Sequence, residues 1–224
     1  MIAVVAAGFM VKDILLNAEW LREAPAATVV LLRVLVLAVF YAAQVAVLAH
    51  LAARRALSFG EAFRLRRGGA WRSAAVSAGL VGALLVGTRA AATLYAALAH
   101  GLGFDPPGMR WNADLSRVFG AGLPGFALTV ALVVLVGPLV EEVVFRGVIL
   151  GAVSSRLGPW PAIVASALLF SVYHFTAWLL VPSFVLGVAC GWLAARRPTL
   201  IPAVALHSLY NAVAVAAAFY VASR

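Results

Sequence analysis

Beyond Asp114 the chain holds only two acidic residues, Glu141 and Glu142, and they are adjacent. They stand in the run Gly137-Pro138-Leu139-Val140-Glu141-Glu142-Val143-Val144-Phe145-Arg146-Gly147. Ionisable groups in so apolar a setting are costly, which makes function the default reading. On a helix Glu142 and Arg146 are four apart, the spacing of an ion pair with the glutamate N-terminal. Glu141 lies about 100° further round and faces away from the arginine. One carboxylate is thereby held, and the other is left for chemistry. The plain alternative is a structural pair at a helix end, with Glu141 solvated among headgroups. Taken alone, the two readings balance.

Two histidines tip the balance. His174 lies in Phe170-Ser171-Val172-Tyr173-His174-Phe175, which reads as the interior of an apolar span, and His207 lies in Leu206-His207-Ser208-Leu209-Tyr210-Asn211. His207 and Asn211 share one helix face. A single membrane histidine is more often an interhelical hydrogen bonder than a base. Three apolar segments, each supplying such a group, fit a site better than coincidence. His50 and His100 fall at segment ends, where a structural role is the better reading. Arg33 and Arg89 lie inside spans with no acidic partner obvious from the sequence; they could snorkel or line a water-filled cavity, and are given no catalytic role.

A carboxylate beside a neutral imidazole can take a proton from water. An amide beside a second imidazole can donate to an oxyanion forming on a carbonyl. Together these parts suffice for peptide hydrolysis without a covalent intermediate, and no serine or cysteine stands in a nucleophile motif. Glu141, His174 and His207 could instead hold Zn²⁺ with an open water position, although a His-Glu-x-x-His run is absent. Cys190, the one cysteine, reads as a small buried hydrophobe.

The elements that must position these groups are membrane helices. Of 224 residues, 65% are hydrophobic and 11% charged, too apolar for a water-soluble domain of this size. Apolar runs near the bilayer-spanning length of about 20 residues recur. They fall at 28–52, 73–100, 121–140, up to about residue 180, 183–195 and 199–221. A shorter segment, 141–157, is followed by the break Gly158-Pro159-Trp160-Pro161. The expectation is one all-α domain over 1–224, a polytopic bundle of about six to eight membrane helices with its motif-bearing core at 121–221. Residues 1–22 read as a partly inserted or interfacial helix, and Trp20, Trp71, Trp111 and Trp160 suit an aromatic belt.

The charge of +9 does not argue for nucleic acid, because no soluble region is large enough to present a basic face. Arg54, Arg55, Arg64, Arg66, Arg67 and Arg72 instead mark one connection as cytoplasmic, and the connection 101–120, with Asp105 and Asp114, as the opposite side. If the segment 141–157 lies at the interface, Arg196 and Arg197 join the cytoplasmic side; if it crosses, they do not.

Glu-Glu-x-x-x-Arg, then Phe-x-x-x-His, then His-x-x-x-Asn, in that order within membrane helices, resembles the CAAX-protease and bacteriocin-processing family, also called Abi proteins, and is similar to type II CAAX prenyl endopeptidases. The likeness covers roughly 138–211. It implies an intramembrane endopeptidase in which Glu141 and His174 activate the attacking water, and His207 and Asn211 stabilise the oxyanion. Glu142, Arg146 and Phe170 would support the site. In the metalloprotease view of the family, Glu141, His174 and His207 would hold zinc; the poor ligand quality of Asn211 favours a metal-free site. The implied partners are the lipid bilayer and a membrane-associated protein or peptide. The Ala- and Arg-rich composition points to a prokaryotic inner membrane, with the site opening to the cytoplasmic side. Two other classes compete: a proton-coupled transporter, against which the missing internal repeat counts, and a non-catalytic immunity or binding protein on the same scaffold.

Overall fold

The computed structural model describes residues 25–54, 56–65, 70–104, 115, 118–120, 122–174 and 179–222. The helix expected over 1–22 with Trp20, together with Arg55, Arg66, Arg67, Asp105, Trp111, Asp114 and Phe175, lies outside these residues. So do the side chains of Trp71, Arg72 and Arg89.

All regular structure among the described residues is helical. The elements are α1 (Ala26–Ala53), α2 (Phe59–Ala62), α3 (Ala70–Gly101), α4 (Gly122–Leu157), α5 (Pro159–Val172), α6 (Leu180–Arg196) and α7 (Ile201–Ala222). In α1, α3, α4 and α7 there are apolar stretches long enough to cross a membrane, whereas α5 and α6 are shorter apolar helices. Large apolar side chains such as Val39, Val86, Leu98 and Leu168 stand exposed on these rods. Only lipid is a favourable solvent for them, so the protein is an integral membrane helical bundle.

The main departure from the sequence expectation is α4. Instead of stopping at Val140, the helix runs unbroken through both glutamates for 36 residues, roughly 54 Å at 1.5 Å per residue. It tolerates Gly137-Pro138 by widening. Val130–Val136 and Val143–Ile149 are π-helical, and Gly137–Glu142 between them is α-helical. Gly137 N–H reaches back to the Leu132 carbonyl. The next carbonyl in that pattern, on Val133, would be served by residue 138, a proline with no N–H. Asn211 of α7 donates its Nδ2 there instead, at 2.9 Å. In the second widened stretch the Phe145 carbonyl accepts from Leu150 N–H, five residues on, and also from Ser166 Oγ of α5 at 2.9 Å. Each π segment thus gives a neighbouring helix a carbonyl to hold.

Gly158, at φ 81°, ends α4 in a conformation that favours glycine, and Pro159 opens α5. Close packing of α5 on α6 depends on small residues. A Cβ on Gly187 would lie 3.0 Å from the Ala167 Cβ, and one on Gly191 3.1 Å from the Ile163 Cγ2. Helix α5 ends at Val172, earlier than the apolar run suggested, which leaves His174 in the turn beyond it rather than inside a span.

Arg64, after α2, caps the far end of α6. It donates from Nε to the Pro198 carbonyl at 3.2 Å, and from Nη2 to the Ala194 carbonyl at 3.1 Å and to the Arg197 carbonyl. Leu200 N–H returns to the Arg64 carbonyl at 2.9 Å. A cation serving the last carbonyls of a helix is favourable both as a hydrogen-bond donor and against the helix dipole. The basic connection after α1 and the pair Arg196–Arg197 therefore share one end of the bundle.

Candidate active site

The α-helical island of α4 carries the two carboxylates, and its neighbours treat them differently. Glu142 is fully buried. Its Oε1 accepts from Arg146 Nη1 at 3.1 Å and from His207 Nδ1 at 2.9 Å. Arg146, itself buried, spends Nη2 on the Gly187 carbonyl of α6 at 3.0 Å and lays its guanidinium over Phe170, 4.5 Å from the ring centroid. Charges taken from water this completely need close partners, and the pair predicted by the four-residue spacing meets at 3.1 Å.

Glu141 stands on the other side of the island. Its Oε1 accepts from Tyr41 Oη of α1 at 3.4 Å, and its Oε2 lies 3.8 Å from His207 Nε2. That second distance is too long for a direct hydrogen bond. His207 therefore spans the two glutamates, bonded to one and facing the other.

Both imidazoles have their tautomers assigned by their neighbours. His207 Nδ1–H is committed to Glu142, so Nε2 is the atom turned toward Glu141. His174 lies 2.9 Å through Nδ1 from the Phe170 carbonyl, an acceptor that the end of α5 would otherwise leave unserved. With the proton on Nδ1, its Nε2 is an acceptor. The Phe170 ring stands edge-on to both imidazoles, with centroids 4.9 Å from His174 and 5.4 Å from His207. Phe170 is thus the spacer that sets the two histidines relative to each other and to Arg146.

The residues expected from the sequence are accordingly joined in two groups. Glu141, Glu142, Arg146, Phe170 and His207 are linked by direct contacts, and His174 joins them through Phe170. Asn211 is anchored on the Val133 carbonyl, one turn beyond His207 on α7. Its amide thereby has one donor engaged in holding α4, a role the sequence reading did not anticipate. Cys190 is buried, with its Sγ 3.7 Å from the Ala203 carbonyl and beside the Glu142 carboxylate. Among the described residues no three His, Cys, Asp or Glu side chains are gathered as a metal-binding set.

Sequence reasoning missed Tyr41, Gln44, Ser166 and Gly187. Tyr41 and Gln44 are polar interruptions of the apolar run in α1, and their three-residue spacing was the available signal. Ser166 and Gly187 carry no such mark, because small residues are common throughout membrane helices.

Residues 123–213 match the family model described as type II CAAX prenyl endopeptidase Rce1-like. That stretch contains Glu141, Glu142, Arg146, Phe170, His174, His207 and Asn211. The matched segment is thus similar to the CAAX-protease family. No curated protein and no solved structure matches the chain. The Rce1-like segment begins at the start of α4 and leaves out α1 to α3, so Tyr41 lies outside it.

Proposed function

We propose that the protein is an intramembrane endopeptidase in which Glu141 is the general base for an attacking water. The observation that carries this reading is the division of labour between adjacent carboxylates: Glu142 is locked by Arg146 and His207, while Glu141 keeps one oxygen directed at an imidazole it does not bond. The Rce1-like match supports protease chemistry at the level of the family.

A water between Glu141 Oε2 and His174 Nε2 would meet two acceptors, one for each of its protons. Attack of its oxygen on the scissile carbonyl carbon passes one proton to Glu141 and leaves a tetrahedral oxyanion. Collapse breaks the C–N bond as Glu141 returns that proton to the departing amine. His207 can donate to the oxyanion from Nε2 only when doubly protonated, because Nδ1–H is already committed to Glu142. Asn211 has a second amide hydrogen for the same task. The zinc alternative would require Glu141, His174 and His207 to draw together around an ion. The substrate proposed is a membrane-associated protein or peptide reached from the cytoplasmic leaflet.

The test is Glu141→Gln in purified protein against a panel of internally quenched peptides. Loss of a general base lowers kcat by about 10²–10⁴-fold, and thermal stability should change little. The same assay is run with a chelator. Unchanged wild-type cleavage is expected; loss that zinc restores would replace the metal-free reading, and a fully active Glu141→Gln protein would remove Glu141 from the mechanism.

A further inference from the structure

Helices α4, α5 and α7 account for every group in the mechanism above, yet Glu141 also has a neighbour on α1. Tyr41 and Gln44 share one face of that helix. Tyr41 Oη donates to Glu141 Oε1 at 3.4 Å. Gln44 is buried, with neither amide atom in hydrogen-bond geometry among the described residues. The buried Tyr173 hydroxyl, just past the end of α5, is close enough to Glu141, Tyr41 and Gln44 to interact with them electrostatically. Polar side chains on the buried face of a lipid-embedded helix are costly to maintain, and Tyr41 reaches the proposed base.

The backbone makes room for this contact. A Cβ on Gly137, one turn before Glu141, would fall 2.9 Å from Tyr41 Oη. Only glycine leaves the space for the phenol to lie against α4 and reach the carboxylate. The two oxygens of Glu141 are then unequal: Oε1 is tied to α1, and Oε2 lies 3.8 Å from His207 Nε2.

We propose that Tyr41 is a positioning residue for Glu141, its hydroxyl holding Oε1 so that Oε2 presents its lone pairs to the attacking water. This rests on Glu141 acting as the base. Loss of a tie on Oε1 loosens the orientation of the carboxylate, and misorientation of a reacting group costs rate without costing affinity. The 3.4 Å separation is longer than the usual O–H···O bond of about 2.5–3.0 Å, so the tie takes full effect in the substrate complex, where catalytic hydrogen bonds tighten. Helix α1, outside the Rce1-like segment, is on this reading a wall of the active site.

The experiment compares Tyr41→Phe, Tyr210→Phe and Glu141→Gln in liposomes, using a quenched peptide that the wild type cleaves. Tyr210 Oη donates to Thr88 at 3.1 Å, so its Phe variant removes a comparable phenol hydrogen bond that does not involve Glu141. A hydrogen bond to a charged group is worth a factor of about ten or more, so Tyr41→Phe should lose that much kcat at unchanged KM and Tm. Tyr210→Phe should stay within about twofold of wild type. Three results overturn the proposal: Tyr41→Phe with wild-type kcat, a loss confined to KM, or a loss that tracks Tm and recurs in Tyr210→Phe. Activity in Glu141→Gln would instead defeat the base reading itself, whereas an inactive Glu141→Gln beside a fully active Tyr41→Phe defeats only the role of Tyr41.

Discussion

Two donors meet on a single oxygen of Glu142, from Arg146 and from His207, at a point with no exposure to solvent. Removing one partner of such a pair leaves an uncompensated charge in a medium that cannot solvate it, at a cost of about 3–5 kcal/mol. Arg146→Met should therefore lower Tm sharply. Adding Glu142→Gln to the same chain should recover part of the loss, because the stranded charge is gone. Wild-type stability in Arg146→Met would show that the pair does not hold the site together. The four-residue spacing announced this pair in the sequence, since both members lie on one helix. The link from His207 to Glu142 joins α7 to α4, and no local spacing encodes it.

At the scale of elements, α4 survives a glycine and a proline beside its functional residues. On sequence alone a span ends at Val140, because the adjacent charges of Glu141 and Glu142 interrupt the apolar run. The helix continues because the widened turn moves one hydrogen bond back and α7 supplies the donor that proline lacks. An unpaired buried carbonyl costs about 1–3 kcal/mol, so Asn211→Ala should reduce stability by that order. In a Pro138→Ala background the restored N–H can serve Val133, and the same Asn211→Ala change should cost less. Thermal melts of the four proteins in this cycle check the coupling. Equal penalties in both backgrounds would mean that Asn211 does not repair the proline break. The early end of α5 is likewise a matter of partners: His174 satisfies the Phe170 carbonyl from the turn, so apolarity alone misplaced it inside a span.

Across the whole molecule, the contacts of Arg64 bring the basic connection and the α6–α7 corner to one end of the bundle. A Cβ on Gly147 would sit 3.5 Å from Phe63 and 3.4 Å from Leu200, at the level of that corner. Glu141 is six residues earlier on α4, roughly 9 Å further in at 1.5 Å per residue. If arginine marks the cytoplasmic side, the site lies within two turns of it. Native Cys190 is buried, so single cysteines can report the topology. Arg54→Cys and Arg196→Cys should react with a membrane-impermeant thiol reagent from the same side of sealed vesicles, and Leu102→Cys from the other. Labelling of positions 54 and 196 from opposite sides would refute the shared end.

The sequence by itself determined the solvent, the helical class, the Glu142–Arg146 pair and the identity of the polar groups inside the spans. These follow from composition and from spacings within one helix, where geometry is nearly independent of the rest of the chain. Only the tertiary structure decided that α4 is continuous, that His207 spans two glutamates, that Asn211 serves a carbonyl orphaned by Pro138, and that Tyr41 reaches Glu141 from α1. Each of these is a contact between segments that are distant in the chain. Such contacts depend on how closely two helices approach, and that distance is set by a glycine, a widened turn or a single hydrogen bond rather than by any pattern along one helix.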